Sequence, residues 1–225
     1  MVLDFPIERI IYQDADILVV NKPEGLLTIP DGYDPSMPNL AALLSARFGK
    51  VWVVHRLDKD TSGLLLFALN LSSHQELNRQ FRERLVQKVY LAIATPVPAW
   101  EAQSVSLPLQ INAGRSHLTK VGPEQGKPAE TVFNILEKKT DTCLLECRPK
   151  TGYRHQIRAH LYAQGMGIIG DSLYNPSNPG VVQANAPRLM LQAQALNFTH
   201  PGYHESISFE IPMDSELENF WNALA

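Results

Sequence analysis

Apolar positions along the chain follow strand-like spacing in some segments and helix-like spacing in others. Residues 17–20 form a short apolar run that stops at the turn-forming Asn21-Lys22-Pro23, which predicts a buried strand. Leu40, Leu44 and Phe48 recur at helical spacing before Gly49, which predicts a helix that ends there. Further apolar or alternating runs predict strands at 51–54, 64–69, 89–94, 104–109, 117–121, 130–137, 142–147, 189–198 and 206–211.

Three other segments have helical patterns. The sequence from Ser73 to Glu76 is typical of a capping box, residues 154–164 end at Gly165, and Ser215-x-x-Glu218 opens a last helix. Strands outnumber helices and do not alternate with them regularly. The pattern therefore predicts an α+β fold, a mainly antiparallel mixed β-sheet flanked by helices, in a single domain over residues 1–225.

Composition and charge exclude only a few classes of protein. The 225 residues are 44% hydrophobic and 19% charged, and no apolar run reaches the roughly 20 residues of a membrane helix. The start lacks a secretory pattern, so we expect a cytoplasmic protein. A net charge of −3 counts mildly against nucleic-acid binding, but phosphate contacts depend on a local basic patch, which this composition permits.

The cysteines and histidines do not indicate a metal site. Cys143 and Cys147 have three residues between them, which fits neither a CxxC redox motif nor a usual zinc knuckle. We expect two thiols packed in or beside a strand. His155 and His160 are five residues apart, outside any HExxH-type pattern.

The segment 55–63, HRLDKDTSG, concentrates charge between two predicted apolar strands. By composition alone such a segment is usually a solvated turn. With the apolar strand that follows, however, it resembles HRLDxxTSG, the signature of the RluA-type pseudouridine synthases.

Further segments resemble motifs of the same family in the expected order, from about residue 19 to residue 200. They are Asn21-Lys22-Pro23-x-Gly25-Leu26, Lys88-x-Tyr90-x-Ala92, Gly126-Lys127-Pro128-Ala129-x-Thr131, Thr151-Gly152 with His155-Gln156-Ile157-Arg158-Ala159-His160-Leu161, Gly170-Asp171-x-x-Tyr174 and Arg188-Leu189-x-Leu191. Two positions depart from the pattern: Tyr153 follows Gly152 where the family has Arg, and Gln192 stands at the usual His.

The resemblance implies a role for particular residues. Asp58 is the implied catalytic residue, Tyr90 lies against the target base, and Arg158 is the ion partner of the catalytic carboxylate. Arg56 is implied to enter the space that the flipped nucleotide leaves. The other expected substrate-binding residues are Lys22, His55, Thr61, Arg154 and Gln156.

Some of these positions have a second interpretation. Lys22 either touches substrate or simply ends a strand, and Tyr90 without the motif would be a core tyrosine. Arg154 and Arg158, four apart, are expected to share a helix face, so that one pairs with Asp58 while the other reaches a phosphate. Further candidates for phosphate contacts, each also explicable as a solvated surface charge, are Arg79, Arg82, Arg84, Lys88, Lys120 and Lys127.

The implied reaction breaks the C1′–N1 bond of a uridine, turns the uracil and forms a C1′–C5 bond. Because the base itself returns as the nucleophile, one carboxylate suffices where a glycosidase needs two. Asp58 either attacks C1′ or removes a ribose proton; the sequence leaves both open. A paired uridine must first leave its stack.

The resemblance further implies an RNA partner, an rRNA or tRNA stem-loop, with no cofactor, no metal, no membrane and no accessory S4 RNA-binding domain. We expect a monomer. Two alternatives remain: a non-catalytic RNA-binding module on the same fold, and a hydrolase that uses Asp58 with a second acid such as Asp60.

Overall fold

A computed structural model describes residues 5–113, 118–122, 125–174 and 186–224. The chain divides into two compact units, and each unit is made of two separate segments of the sequence. Unit 1 contains residues 1–87 and 193–211, and unit 2 contains residues 88–192 and 212–225. The predicted loop at 175–187 lies almost entirely outside the described residues.

The described residues of unit 1 form β-strands and two helices. A 3₁₀ turn at Ile7–Arg9 leads into its first strand. Its elements are β1 (Ile10–Gln13), β2 (Ile17–Lys22), α1 (Leu40–Phe48), β3 (Trp52–Val53), β4 (Ser62–Ala68), α2 (Leu71–Arg82) and, after the excursion through unit 2, most of β12 (Leu191–Thr199) and β13 (Ser206–Glu210).

The strands of unit 1 follow the order β1-β2-β4-β12, with β3 on β4 and β13 on β12. All seven residues of β4 are buried, because the strand is central. The Lys22–Gly63 pair is the last of the antiparallel β2–β4 ladder. The core packs Leu77 of α2 against sheet residues such as Leu66 and Phe198.

Unit 2 contains further strands and has a hydrophobic core of its own. Its elements are β5 (Gln87–Thr95, whose first residue belongs to unit 1), β6 (Ala102–Ser106), β7 (Leu109–Ala113), β8 (Leu118–Val121), β9 (Glu130–Lys138), β10 (Cys143–Pro149), α3 (Gln156–Ala163), β11 (Gly167–Ile168) and α4 (Ser215–Ala223).

The strands of unit 2 follow the order β5-β10-β9-β6, with β11 on β5, while β7 and β8 form a separate antiparallel pair. Its core includes Phe133, Leu161 and Trp221. Cys143 and Cys147 are free thiols buried in the same core, as predicted.

The predicted α+β architecture with a mainly antiparallel sheet is confirmed, because every strand pair whose register is described is antiparallel. The expectation of a single domain over residues 1–225 stays a prediction. Among the described residues, no helix combines the length and the apolar character that crossing a membrane requires.

Several element boundaries differ from the prediction. Helix α2 is capped by Asn70, three residues before the predicted cap Ser73, and begins at Leu71; Asn70 Oδ1 accepts the Ser73 N–H at 2.9 Å. Helix α4 is likewise capped by Asp214, one residue before the predicted cap. The predicted strand at 104–109 is two strands, β6 and the start of β7, with residues 107 and 108 between them.

Candidate active site

The predicted catalytic segment of unit 1 is the irregular connection between β3 and β4. Leu57 anchors it, with 4% of its surface exposed. Both backbone groups of Leu57 bond to one buried hydroxyl: Thr28 Oγ1 donates to the Leu57 carbonyl at 2.9 Å and accepts the Leu57 N–H at 3.2 Å. Because Asp58 is the next residue, Thr28 fixes the backbone from which Asp58 projects.

Lys22 holds the same connection from the other side. Its side chain is fully buried, and Nζ donates to the carbonyl oxygens of Pro23 at 2.8 Å, Leu26 at 2.8 Å and Lys59 at 2.9 Å. Three acceptors match the three N–H groups of an ammonium. Lys22 therefore ties the turn after β2 to the residue that follows Asp58. Its expected contact with substrate remains a prediction.

His55 and Thr61 stand at the two ends of the connection. His55 Nε2 accepts the N–H of Leu66 at 3.0 Å, and its ring stacks on Phe81 with centroids 4.6 Å apart. Thr61 is 2% exposed, and its N–H donates to the carbonyl of Asp58 at 3.2 Å, which closes a turn. Both residues brace the segment, and their expected contacts with substrate stay predictions.

The two side chains of this segment that are predicted to act on the nucleotide differ in exposure. Asp58 is half-buried, whereas Arg56 is exposed. A rigid backbone on both sides of a half-buried carboxylate is what a pre-organised reactive group requires.

In unit 2, Tyr90 lies on β5 opposite Cys147 of β10. It is half-buried and packs against the core of that unit. Lys88, two residues earlier, projects on the same face of the strand because strand side chains alternate.

Arg158 is bound in a two-bond fork to Asp171. Its Nε donates to Oδ2 and its Nη2 to Oδ1, both at 2.7 Å, with 3% of the arginine side chain and none of the aspartate side chain exposed. Asp171 Oδ1 also accepts the N–H groups of Leu173 and Tyr174. The fork uses one edge of the guanidinium and fixes its orientation, and Nη1 takes no part in it. The predicted pairing of Arg158 with Asp58 stays a prediction.

The sequence contains Asp171 in a recognised motif, Gly170-Asp171-x-x-Tyr174, but the motif by itself assigns it no partner. The available signal is that Asp171 closely follows the apolar residues Ile168 and Ile169, because an acid that is buried beside such residues needs a cation. Thr28 carries no comparable signal, because its bond to Leu57 spans 29 residues of sequence.

Helix α3 begins later than predicted, and this corrects the expectation for Arg154. The helix starts at Gln156, because His155 adopts a left-handed conformation with φ 54° and ψ 20°. Arg154 therefore lies in the turn before the helix and is exposed. The prediction that Arg154 and Arg158 share a helix face is wrong, although both belong to unit 2; the role of Arg154 in binding substrate stays a prediction.

Gln156 is 3% exposed and its amide bonds to protein on both sides. Oε1 accepts from Thr151 Oγ1 at 2.7 Å and from Tyr153 N–H at 3.2 Å, while Nε2 donates to the Glu130 carbonyl at 2.9 Å and to Thr131 Oγ1 at 3.0 Å. These four bonds use the full capacity of the amide's donors and two of its acceptor sites. Gln156 thus positions the loop before α3, and its expected substrate contact stays a prediction.

The described residues also contain one group that could hold a metal ion, away from the predicted residues: Asp14, Asp16 and His200 of unit 1. His200 Nε2 lies 2.8 Å from Asp14 Oδ2, and its Nδ1 accepts the Gly202 N–H at 3.1 Å. Both ring nitrogens of His200 thus already have hydrogen-bond partners in the protein. These hydrogen bonds explain why the three side chains lie close together.

Comparison with known proteins agrees with the motifs. A family model described as RNA pseudouridylate synthase matches residues 16–163. Proteins named dual-specificity RNA pseudouridine synthase RluA from Escherichia coli strain K12 and Salmonella typhi are each 39% identical over 206 residues, 91% of this chain and 93% of theirs.

Solved structures agree as well. The human RNA pseudouridylate synthase domain-containing protein 1 aligns with a TM-score of 0.75 and 28% identity, over 95% of this chain and 93% of the other. The human domain-containing protein 4 shares the fold with a TM-score of 0.77 at 23% identity, over 96% and 92%. The chain therefore belongs to the RluA-type RNA pseudouridine synthase family and is an isomerase that acts on RNA.

Proposed function

We propose that this enzyme isomerises a specific uridine in a structured RNA, an rRNA or tRNA stem-loop, in the cytoplasm, and that it works as a monomer without a cofactor or metal. The relatives named dual-specificity RNA pseudouridine synthase support an RNA substrate. Because a stacked uracil cannot be reached inside a stem, the target nucleotide leaves its stack before reaction, at a cost of a few kcal/mol.

Asp58 is the proposed catalytic carboxylate. The observation that supports it best is the bracing of its backbone, by Thr28 on one side and by the buried Lys22 ammonium on the other. A loop that is held at two points keeps its side chain in one position, whereas a mobile surface turn does not. Asp58 acts on the ribose, either at C1′ or on a ribose proton, while the uracil turns and rejoins C1′ through C5.

The remaining roles follow the motif. Tyr90 offers an aromatic face and a hydroxyl to the extruded base. Arg158, whose guanidinium Asp171 holds in a fixed plane, is the proposed ion partner of Asp58. Arg56, exposed on the same loop as Asp58, is proposed to occupy the space left in the stem.

Substitution of the proposed catalytic carboxylate tests this assignment. Asp58→Asn keeps the size of the side chain and removes its charge, so we expect loss of activity by a factor of at least about 10⁴ with RNA affinity nearly unchanged. The readout is tritium release from RNA that carries uracil-5-tritium, because forming the C1′–C5 bond must free that hydrogen.

The neighbouring Asp60→Asn is the matched control and should retain activity. Wild-type tritium release by Asp58→Asn would contradict the proposal. Accumulation of free uracil would instead indicate a hydrolase, and RNA binding by the wild type without any tritium release would indicate the non-catalytic RNA-binding module.

The identity of the target uridine needs a separate experiment. We expect total RNA from cells that lack the gene to lose pseudouridine at one or a few stem-loop positions. Expression of the wild type, but not of Asp58→Asn, should restore them.

A further inference from the structure

Lys88 is a cation whose charge the described part of the protein does not balance. It lies on β5, and its Nζ donates one hydrogen bond, to the carbonyl of Thr151 at 2.8 Å. Within the described ranges it forms no ion pair, and burial lowers the pKa of its ammonium to about 8. An ammonium withdrawn from water without a counter-ion costs free energy, so an anionic partner would stabilise it.

The 150–154 loop, which consists of Lys150–Arg154, covers this ammonium with a glycine. A Cβ at Gly152 would lie 3.3 Å from Lys88 Nζ, and Gly152 is exposed. The absent side chain leaves Lys88 close to the surface of the loop. A ligand that reaches Gly152 therefore comes within reach of the ammonium.

Hydrogen bonds to residues outside the 150–154 loop fix its conformation. Gln156 Oε1 accepts from Thr151 Oγ1 and from the Tyr153 N–H, and the Glu130 N–H donates to Thr151 Oγ1 at 3.3 Å. A loop fixed in this way presents its outer face in one conformation, which lowers the entropic cost of binding a ligand there.

The charges around the 150–154 loop are mainly positive. Lys150 and Arg154 belong to it and are exposed, and Lys127 Nζ lies 5.7 Å from the centroid of the Tyr153 ring. The acid beside the loop is Glu130, whose Oε1 accepts from Ser104 Oγ of β6 at 3.3 Å. Among the described residues named here, Lys88, Lys127, Lys150 and Arg154 outnumber Glu130, and such an excess of positive charge favours binding of an anion.

We propose that Lys88 and the 150–154 loop bind a phosphodiester of the RNA substrate next to the base held by Tyr90. The inference rests on the proposed function for the role of Tyr90. Lys88 and Tyr90 project on the same face of β5 about 7 Å apart. A phosphate here would pair with the Lys88 ammonium and accept hydrogen bonds from it and from Arg154. Because Tyr153 replaces the arginine of the family pattern, Lys88, Lys127 and Arg154 supply the charge at this loop.

The salt dependence of RNA binding tests this proposal. The probe is a stem-loop transcript, labelled with uracil-5-tritium, that contains a uridine whose modification is lost in cells lacking the gene. We expect Lys88→Gln to weaken binding about tenfold, and to flatten the slope of log Kd against log salt concentration by about one. Lys88→Arg should restore most of both. Lys138→Gln, which removes a lysine already paired with Glu101, is the control and should change neither.

Gly152→Val is a second variant that keeps every charge. Its side chain would cover the Lys88 ammonium, so we expect weaker RNA binding with an unchanged melting temperature. A slope for Lys88→Gln equal to that of Lys138→Gln, or unchanged binding by Gly152→Val, would overturn the proposal. Tritium release by the wild type is scored separately: its absence refutes the proposed function, whereas its presence with an unchanged slope refutes only the phosphate site.

Discussion

Lys22 illustrates how a residue of a recognised motif can have a structural role besides any contact with substrate. Its ammonium is fully buried and donates to three carbonyl oxygens, one of them in the residue after Asp58. The lysine of the Asn21-Lys22-Pro23 motif therefore has a structural explanation. Its hydrogen bonds connect the turn after β2 to the Asp58 loop, which are not joined by a β-ladder. A lysine suits this position because its ammonium has three donors directed to different sides.

Replacing Lys22 with methionine should show the size of this effect. Lys22→Met keeps most of the length of the side chain but leaves three carbonyl oxygens without the donor that they have in the wild type. We expect the free energy of unfolding to fall by about 3 kcal/mol, and kcat to fall because the backbone at Asp58 is released. Urea denaturation and tritium release measure the two effects.

The exposed Lys59 provides the matched control, since only its carbonyl oxygen takes part in the tie. Lys59→Met should leave stability unchanged. Equal stabilities of Lys22→Met and the wild type would mean that the three hydrogen bonds do not hold the loop.

At the scale of elements, the packing of two strands explains why the HRLDKDTSG segment ends in a glycine, Gly63. It lies in β4 with φ +111°, and a Cβ there would lie 2.1 Å from the carbonyl oxygen of Ala193 in β12. No side chain fits between these two backbones. The glycine therefore allows β4 and β12 of unit 1 to approach directly after the Asp58 loop.

Alanine at this position should consequently be costly. We expect Gly63→Ala to lower the free energy of unfolding by about 3 kcal/mol, because strain and overpacking add together. Gly49→Ala is a strict comparison: Gly49 also has a positive φ, of 74°, but nothing lies within 4 Å of its added Cβ. That variant should cost about 1 kcal/mol from backbone strain alone. Thermal and urea denaturation of both variants measure the difference; equal losses would show that the close approach of the strands is relaxed at no cost.

The start of α3 is an element that local pattern did not predict correctly. Ile157 and Leu161 have helical spacing, and Gly165 ends the segment as predicted. The early boundary was wrong because His155 adopts a left-handed conformation, in which its Nδ1 lies 3.0 Å from Tyr174 Oη. This contact spans 19 residues, so helical propensity at Arg154 could not reveal it.

At the scale of the whole molecule, each unit has a hydrophobic core of its own among the described residues. The core of unit 2 contains both cysteines, and burial raises the pKa of the Cys143 thiol to about 12 and that of Cys147 well above its usual value. A thiol is reactive as its thiolate, so these side chains are protected both by packing and by protonation.

Thiol labelling therefore reports the opening of unit 2. At pH 8 we expect no reaction of the native enzyme with an aromatic disulfide reagent over the time in which an exposed thiol reacts completely. Both thiols should react in concentrated urea. Ser36→Cys, at an exposed position, supplies the reactive control. Rapid labelling of native Cys143 or Cys147 would show that the core of unit 2 opens locally.

The sequence by itself determined the fold class and the family, and it predicted the residues that the chemistry would use. Apolar periodicity is a local property, so most strands and helices could be predicted within a few residues. The motifs, from the NKP turn through HRLDKDTSG to the segment around Arg158, identified an RNA isomerase without reference to three-dimensional structure.

Only the tertiary structure decided what holds those residues. The Lys22 tie to the Lys59 carbonyl, the Thr28 bonds to Leu57 and the Arg158–Asp171 fork join residues 37, 29 and 13 positions apart. Such contacts depend on how the chain returns upon itself, and neither spacing nor propensity encodes which acceptor a buried donor will meet. For the same physical reason, only the structure reveals that Lys88 has no counter-ion among the described residues.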